Sequence, residues 1–171
     1  MIKANPEIFN RSVYLARQSK TRETDTTASL LAHVAEDLGA RLGVINHMFS
    51  HVGIIAGKPR PLVTALTATG KCAEIETIAP PLGEDLGLQA GSFDALFSML
   101  DLHCVNDVPG YLAQCAKALR PDGLFMCCFF GGDTLVELRS SWLAAEAEAG
   151  RVSPRIAPMV GLREMGGLLQ R

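Results

Sequence analysis

The sequence lacks the long apolar run, the excess of basic residues and the paired cysteines that mark several large classes of protein. Its longest apolar run, Leu124 to Phe130, is far shorter than the roughly 18 residues that cross a bilayer. The N-terminus MIKANPEIFNRS has no apolar core of a signal peptide. With 16 basic and 18 acidic residues, no basic stripe is available to follow phosphates. We therefore expect a cytoplasmic protein with no membrane span and no nucleic acid partner.

Motifs for metal binding and nucleophilic catalysis are also missing. The five cysteines form no C-x-x-C pair and have no histidine at zinc spacing, so we predict reduced, mostly buried thiols and no metal site. The sequence contains no P-loop and no nucleophile elbow. A GGDT stretch at residues 131–134 resembles a phosphate site only weakly and is more typical of a helix cap.

The length of 171 residues fits one domain of about 100 to 200 residues. From Thr26 to Leu42, apolar residues recur every three or four positions, which predicts an amphipathic helix with its N-cap at Thr26 or Thr27. After this helix the apolar pattern changes to short strands that alternate with helices. We expect residues 1–48 to form a helical arm packed on a core domain of residues 49–171.

The alternation of strands and helices predicts parallel βαβ units and hence a Rossmann-like α/β sheet. The predicted strands are Val52–Ala56, Cys72–Ile78, Phe93–Leu100 and Gly123–Phe130, and the predicted helices are Pro61–Ala68, Val108–Leu119 and Thr134–Ala149.

Residues 92–125, SFDALFSMLDLHCVNDVPGYLAQCAKALRPDGLF, have the most specific pattern in the chain. A strand that opens with Phe-Asp is followed by a short polar loop, a helix, an R-P-D-G turn and a second buried strand. This order resembles the fourth and fifth strands of class I S-adenosylmethionine-dependent methyltransferases. IFNRSVYLAR near the N-terminus and GGDTLVELR after the last strand resemble the subgroup related to malonyl-carrier-protein O-methyltransferase and to an arginine-hydroxylating assembly factor of complex I.

The resemblance implies S-adenosylmethionine as cofactor, bound at the carboxyl ends of the strands. In the family, a glycine loop follows the first strand, an acidic residue at the end of the second binds the ribose, and a further polar residue reads the adenine. Glu74 or Glu76 could supply the ribose contact, and Glu84 or Asp85 the adenine contact. The residues implied as cofactor-binding are Gly53, Ala56, Gly57, Glu76, Asp85, Leu100 and Asp101.

His103 is the candidate catalytic residue, because it follows the third predicted strand at the end of the sheet where such enzymes process substrates. A neutral imidazole could accept a proton from a methyl acceptor. Alternatively, His103 could be a hydrogen-bonding residue of the loop, since methyl transfer often needs only the alignment of donor and acceptor.

The sequence departs from the family pattern at three places. Ile54 stands where an acidic residue is expected in HVGIIAGKP, residues 51–59. The segment between Ile78 and Phe93 is too short for the usual helix and strand, and the chain stops at LLQR, before the family's final hairpin. We expect a methyltransferase fold with a shortened middle and missing C-terminal strands. Either the sequence is a truncated form of a longer protein, or the protein has diverged and its exposed sheet edges pair with a second copy or a partner.

Two functions remain open at this stage. The first is transfer of a methyl group from S-adenosylmethionine to an unknown small-molecule or protein acceptor. The second is a cofactor-free binding or assembly role of the respiratory-complex type, with a link to hydroxylation that rests on the resemblance alone.

Overall fold

A computed structural model describes residues 7–20, 24–150, 153 and 155–170. Four strands are joined mainly by helices, and a short 3-10 turn, Leu102–Cys104, follows the third strand. The strands are β1 (Phe49–Ile55), β2 (Cys72–Ile78), β3 (Phe93–Met99) and β4 (Leu119–Cys128), and the helices are α1 (Arg11–Lys20), α2 (Asp25–Gly43), α3 (Arg60–Ala68), α4 (Val108–Ala118), α5 (Val136–Glu148) and α6 (Leu162–Leu169).

The four strands form one parallel sheet in the order β2-β1-β3-β4. The chain passes from β1 outward to β2 through α3, returns to the other side of β1 as β3, and continues outward to β4 through α4. The strand order therefore reverses between β1 and β3, where the loops after these two strands leave the sheet in opposite directions. In open α/β sheets, a reversal of this kind opens a crevice at the carboxyl ends of the strands.

Alternating residues of the central strands pack against helices on the two faces of the sheet. On one face, Val52 and Ile54 of β1 join Leu42 of α2 and Leu62 of α3 in a fully buried cluster. On the other face, the Ser98 hydroxyl of β3 lies 2.8 Å from the Tyr111 hydroxyl of α4. The parallel sheet flanked by helices confirms the predicted Rossmann-like class.

Helix and strand ends differ from the predicted ends at several positions. β2 has the predicted bounds, whereas α2 begins one residue earlier than expected, and its N-cap is Thr24, whose hydroxyl accepts a hydrogen bond from the Thr27 amide. The predicted N-cap at Thr26 or Thr27 is therefore wrong. α5 begins at Val136 after Leu135, which has a left-handed φ of 58°, so the GGDT stretch, residues 131–134, does not supply its N-cap as expected.

The segment between β2 and β3, residues 79–92, contains neither helix nor strand, which confirms the shortened middle. By their contacts the residues fall into two compact units, and the chain passes from the first to the second between Phe129 and Phe130. The predicted division at residue 48 stays a prediction, as does the cytoplasmic location. Among the described helices, none is both long and apolar enough to cross a membrane.

Candidate functional site

The loops that follow β1 and β3 meet at the point where the strand order reverses. Ile54 and Ile55 near the end of β1 pair with Phe97 and Ser98 of β3. The residues that follow the two strands therefore lie at the same edge of the sheet, at the carboxyl ends of the strands. The loop after β1 comprises residues 56–59, and the loop after β3 runs from Leu100 into the 3-10 turn. These two loops and the side chains above them form the candidate site.

A buried ion pair fastens α1 to this site. Arg11, the first residue of α1, donates two hydrogen bonds to the Asp101 carboxylate, Nη1 to Oδ1 at 2.9 Å and Nη2 to Oδ2 at 3.1 Å. The same guanidinium also donates to the backbone oxygens of Cys104 and Pro81. The two side chains are 4% and 1% exposed. Arg11 thus joins α1, the loop after β3 and the segment that leads away from β2.

Two further side chains on the same side of α1 contact the loops. The Tyr14 hydroxyl donates to the Leu100 carbonyl at 3.2 Å, and Leu100 has a left-handed φ of 53°, which is uncommon for a residue with a side chain. The Gln18 amide packs so closely on Gly57 that a Cβ there would collide with it. Because Arg11, Tyr14 and Gln18 recur every three or four residues, one face of α1 lies over both loops.

Asn106 holds the residues that lead into α1. Its side-chain oxygen accepts hydrogen bonds from the amides of Ile8 and Phe9 at 2.8 and 2.7 Å, and its amide donates to the Phe9 carbonyl at 3.0 Å. Glu84 lies on the other side of Asn106, 3.2 Å from its amide nitrogen, and also accepts from the Asp107 amide. Glu84 is therefore the carboxylate that the structure brings against the loop after β3.

His103 lies in the 3-10 turn beneath α1. Its ring meets the Tyr14 ring edge to face, with 6.1 Å between the ring centroids. Burial lowers the pKa of His103 below its ordinary value of 6.5, while the Asp101 carboxylate opposes that shift. The imidazole is therefore neutral near neutral pH and can accept a proton. Burial also raises the pKa of Cys104 to about 11, so this neighbouring thiol is not an activated nucleophile.

The structure places three of the predicted cofactor residues along β1 and its loop. Gly53 lies within the strand, where a Cβ would stand 2.6 Å from Leu96 Cδ1 and 2.9 Å from Phe93 Cε1, so packing inside the sheet accounts for this glycine. Ala56 is buried at the end of the strand, and Gly57 faces α1. Of the three, Ala56 and Gly57 belong to the candidate site.

The two predicted carboxylates outside the loop after β3 have other neighbours. Glu76 Oε2 lies 3.2 Å from His51 Nε2, and His51 pairs in the sheet with Glu74, nearer the beginning of β2. The Glu76 carboxylate therefore extends away from the crevice. Asp85 accepts a hydrogen bond from the Gly87 amide at 2.9 Å within its own turn. Cofactor binding by either residue stays a prediction.

Arg11, Tyr14 and Gln18 are the site residues that sequence reasoning did not single out. Their spacing along the chain was a usable signal, because it places all three on one side of a helix; Arg11 and Tyr14 lie within the IFNRSVYLAR segment and Gln18 directly follows it. A polar stripe of this kind normally indicates the solvated face of a helix. Among the described residues no group of three or more histidine, cysteine or carboxylate side chains could hold a metal ion.

Comparison with known proteins gives a family match within the sheet. A model described as a methyltransferase domain matches residues 62–127, from the first turn of α3 to the end of β4. The mouse mitochondrial arginine-hydroxylase NDUFAF5 is 47% identical over 89 residues, which are 52% of this chain and 26% of that protein. A malonyl-[acyl-carrier protein] O-methyltransferase of Xylella fastidiosa is 40% identical over 78 residues, 46% of this chain and 25% of that protein.

The matched segments thus span about a quarter of the length of these two curated relatives. Among solved structures, a chain of the complex that contains the Haloferax volcanii Trm112 methyltransferase activator has a TM-score of 0.64 at 14% identity. The match covers 95% of this chain and 75% of that one. At this identity the likeness shows the fold alone.

Proposed function

Because this chain belongs to the class I methyltransferase-like family, we propose that it is an S-adenosylmethionine-dependent methyltransferase acting on a small-molecule or protein acceptor. The observation that carries the proposal is the reversal of strand order between β1 and β3. Ligands of open α/β sheets bind outside the carboxyl ends of the strands at such a reversal. The family match over residues 62–127 includes β3 of this pair and the outer strands β2 and β4, while β1 precedes the matched segment.

The residues around the crevice fit such a cofactor in part. Ala56 and Gly57 add little side-chain bulk to the first loop, although the Gln18 amide of α1 lies against Gly57. Asp101 lies on the other side of the crevice. Glu84, rather than Asp85, contacts the loop after β3. Glu76 faces His51, so the described residues offer no carboxylate at the very end of β2 for a ribose.

S-adenosylmethionine, when bound, supplies an activated methyl group on a sulfonium. In this proposal the chain binds and orients donor and acceptor, and α1 covers the crevice and excludes water. His103, which burial keeps neutral near neutral pH, accepts the proton that a hydroxyl or amine acceptor releases. Its neighbour Tyr14 contacts the ring edge to face and fixes the orientation of the imidazole.

A second candidate function is a cofactor-free role in binding or assembly. The observation that favours it is that the polar groups around the crevice are already bound within the chain: Asp101 by Arg11, the Leu100 carbonyl by Tyr14, and the Gly57 surface by Gln18. One relative is named an arginine-hydroxylase, which keeps a role other than methyl transfer open.

A partner could dock on the outer edge of β2, which pairs only with β1 among the described strands. Glu74 and Glu76 are exposed along β2. Antiparallel pairing of two copies through this edge would bring like charges together, which destabilises a sheet. A partner strand with basic side chains therefore fits this edge better than a second copy does.

Isothermal titration calorimetry with S-adenosylmethionine and S-adenosylhomocysteine separates the two functions. For a methyltransferase we expect saturable heat with both ligands and binding at least about tenfold weaker in Gly57→Val, because the new side chain fills the loop surface. Gly43→Val is the matched control, since a Cβ at Gly43 meets nothing within 4 Å. Absence of heat with millimolar ligand in the wild type would overturn the methyltransferase proposal and favour the second function.

A further inference from the structure

One side of α5 and the described residues Ser153, Arg155 and Ile156 border a half-open cavity of about 320 Å³ in the C-terminal unit. Arg139, Trp142, Leu143 and Glu146 line it from the helix, and their spacing of three and four residues places them on one side. At roughly 30 Å³ for each water-sized group, the cavity has room for about ten non-hydrogen atoms. The remaining lining residues are Ser153, Arg155 and Ile156.

A buried carboxylate fixes the shape of this cavity. Glu146 accepts hydrogen bonds from the Ser153 amide at 2.9 Å, from the Ser153 hydroxyl at 3.1 Å and from Arg155 Nε at 2.8 Å. These donors lower the pKa of Glu146, the Ser153 amide most of all. Glu146 is therefore ionised and fully engaged, so it joins Ser153 and Arg155 to α5 and is not itself a ligand-binding group.

The charge that remains at the cavity is positive. Two guanidinium groups, Arg139 and Arg155, stand against the single carboxylate of Glu146. Arg155 uses Nε for Glu146 while its guanidinium carbon lies 5.4 Å from the centre of the Trp142 ring, and the side chain is 53% exposed. Arg139 donates to the Gly132 carbonyl at 3.3 Å through Nη1, which leaves most of its five donors for other partners.

The walls beside the two arginines are apolar. Trp142 and Leu143 are 43% and 50% exposed, and Ile156 is half-buried on the opposite side. A ligand that matches both features needs one negative charge to meet the guanidinium groups and a compact apolar body to cover these side chains. We propose that this cavity, the α5 pocket, binds a small organic carboxylate with an apolar chain or ring.

Trp142 is the single tryptophan of the chain and reports directly on the α5 pocket. We expect octanoate, used as the probe, to change the tryptophan fluorescence of the full chain saturably. Octanamide has the same chain without the charge, and we expect it to bind about tenfold more weakly, the loss typical of a charge-assisted hydrogen bond. Equal responses to the two probes, or no saturable response to millimolar octanoate, would overturn the proposal.

Variants locate the binding and guard against loss of fold. Arg139→Gln and Leu143→Glu leave the Glu146 fastening intact, and we expect each to weaken octanoate binding about tenfold, the second by repelling the carboxylate. Arg163→Gln, an exposed change in α6 outside the cavity, is the control and should bind as the wild type does. Wild-type affinity in both Arg139→Gln and Leu143→Glu would contradict the assignment, and circular dichroism checks that each variant is folded.

Discussion

Asp101 is a fully buried carboxylate whose charge is balanced by a residue 90 positions earlier in the chain. The planar fork of Arg11 matches its two oxygens, so the pair forms two parallel hydrogen bonds. A buried pair of this kind contributes little compared with an apolar pair of the same shape, but removal of one partner leaves the other charge uncompensated. The pair therefore matters to stability mainly because removing either partner lowers the free energy of unfolding.

We expect Asp101→Asn to lower the free energy of unfolding by about 3 to 5 kcal/mol, because Arg11 then stays buried without a counter-charge. Asp37→Asn is the matched control: it removes the carboxylate of the exposed Asp37–Arg41 pair, and surface pairs of this kind contribute little. Urea unfolding measures both changes. If the two variants lost the same small amount of stability, the buried pair would not hold α1 as described.

The individual residues of the site differ in how far their positions could be predicted from the sequence. His103 and Asp101 follow a buried strand, and the position of such residues at the edge of a parallel sheet is predictable from the strand alone. The partners of these residues were not predictable, because Arg11 is near the N-terminus and its pairing depends on how α1 lies over the loops. The same holds for Glu84 and Asn106, which are 22 residues apart.

Among the secondary-structure elements, β1 lies between two neighbouring strands, β2 and β3. Gly53 lies opposite Leu96 in the sheet, and the Phe93 ring stands over the same position. A glycine in a strand normally weakens it, and its presence often marks a close approach of another group. Here the close groups are two apolar side chains of β3, so the glycine permits β1 and β3 to pack.

We expect Gly53→Ala to lower the free energy of unfolding by about 1 to 3 kcal/mol, since the added methyl group overpacks a buried site. Gly43→Ala adds the same methyl group at the end of α2, where nothing lies within 4 Å. There the change should leave stability unaltered or raise it by about 0.5 to 1 kcal/mol. Thermal unfolding of the two variants checks this, and equal effects would show that Gly53 is not a packing glycine.

The ends of the elements show where local sequence signals fail. Asp107 caps α4 as its position predicts, accepting a hydrogen bond from the Gly110 amide. By contrast, Pro121 was expected between the helix and the next strand, but β4 already begins at Leu119 and contains it. The register between β3 and β4 shifts between Phe93 and Ala95. Such an irregularity accommodates a proline in an outer strand and leaves no clear signal in the sequence.

At the scale of the whole molecule, the parallel sheet and its reversal follow from the order of strands and helices, which the sequence pattern predicts well. The position of α1 over the crevice at the reversal does not follow from the order of strands and helices. α1 contacts the loops largely through polar side chains, and an amphipathic pattern cannot distinguish such a helix from one exposed to solvent. The C-terminal unit, with α5 and α6, likewise has a cavity that only its folded geometry reveals.

Binding at the reversal of strand order is the central claim, and amide hydrogen exchange with and without S-adenosylhomocysteine tests it most directly. Binding there should slow exchange in residues 54–60, in residues 99–107 and in α1, because the ligand and the closed cover protect those amides. The amino-terminal half of β2, which lies away from the crevice, should be unchanged. Unaltered exchange in the two loops at saturating ligand, or protection confined to the C-terminal unit, would contradict the claim.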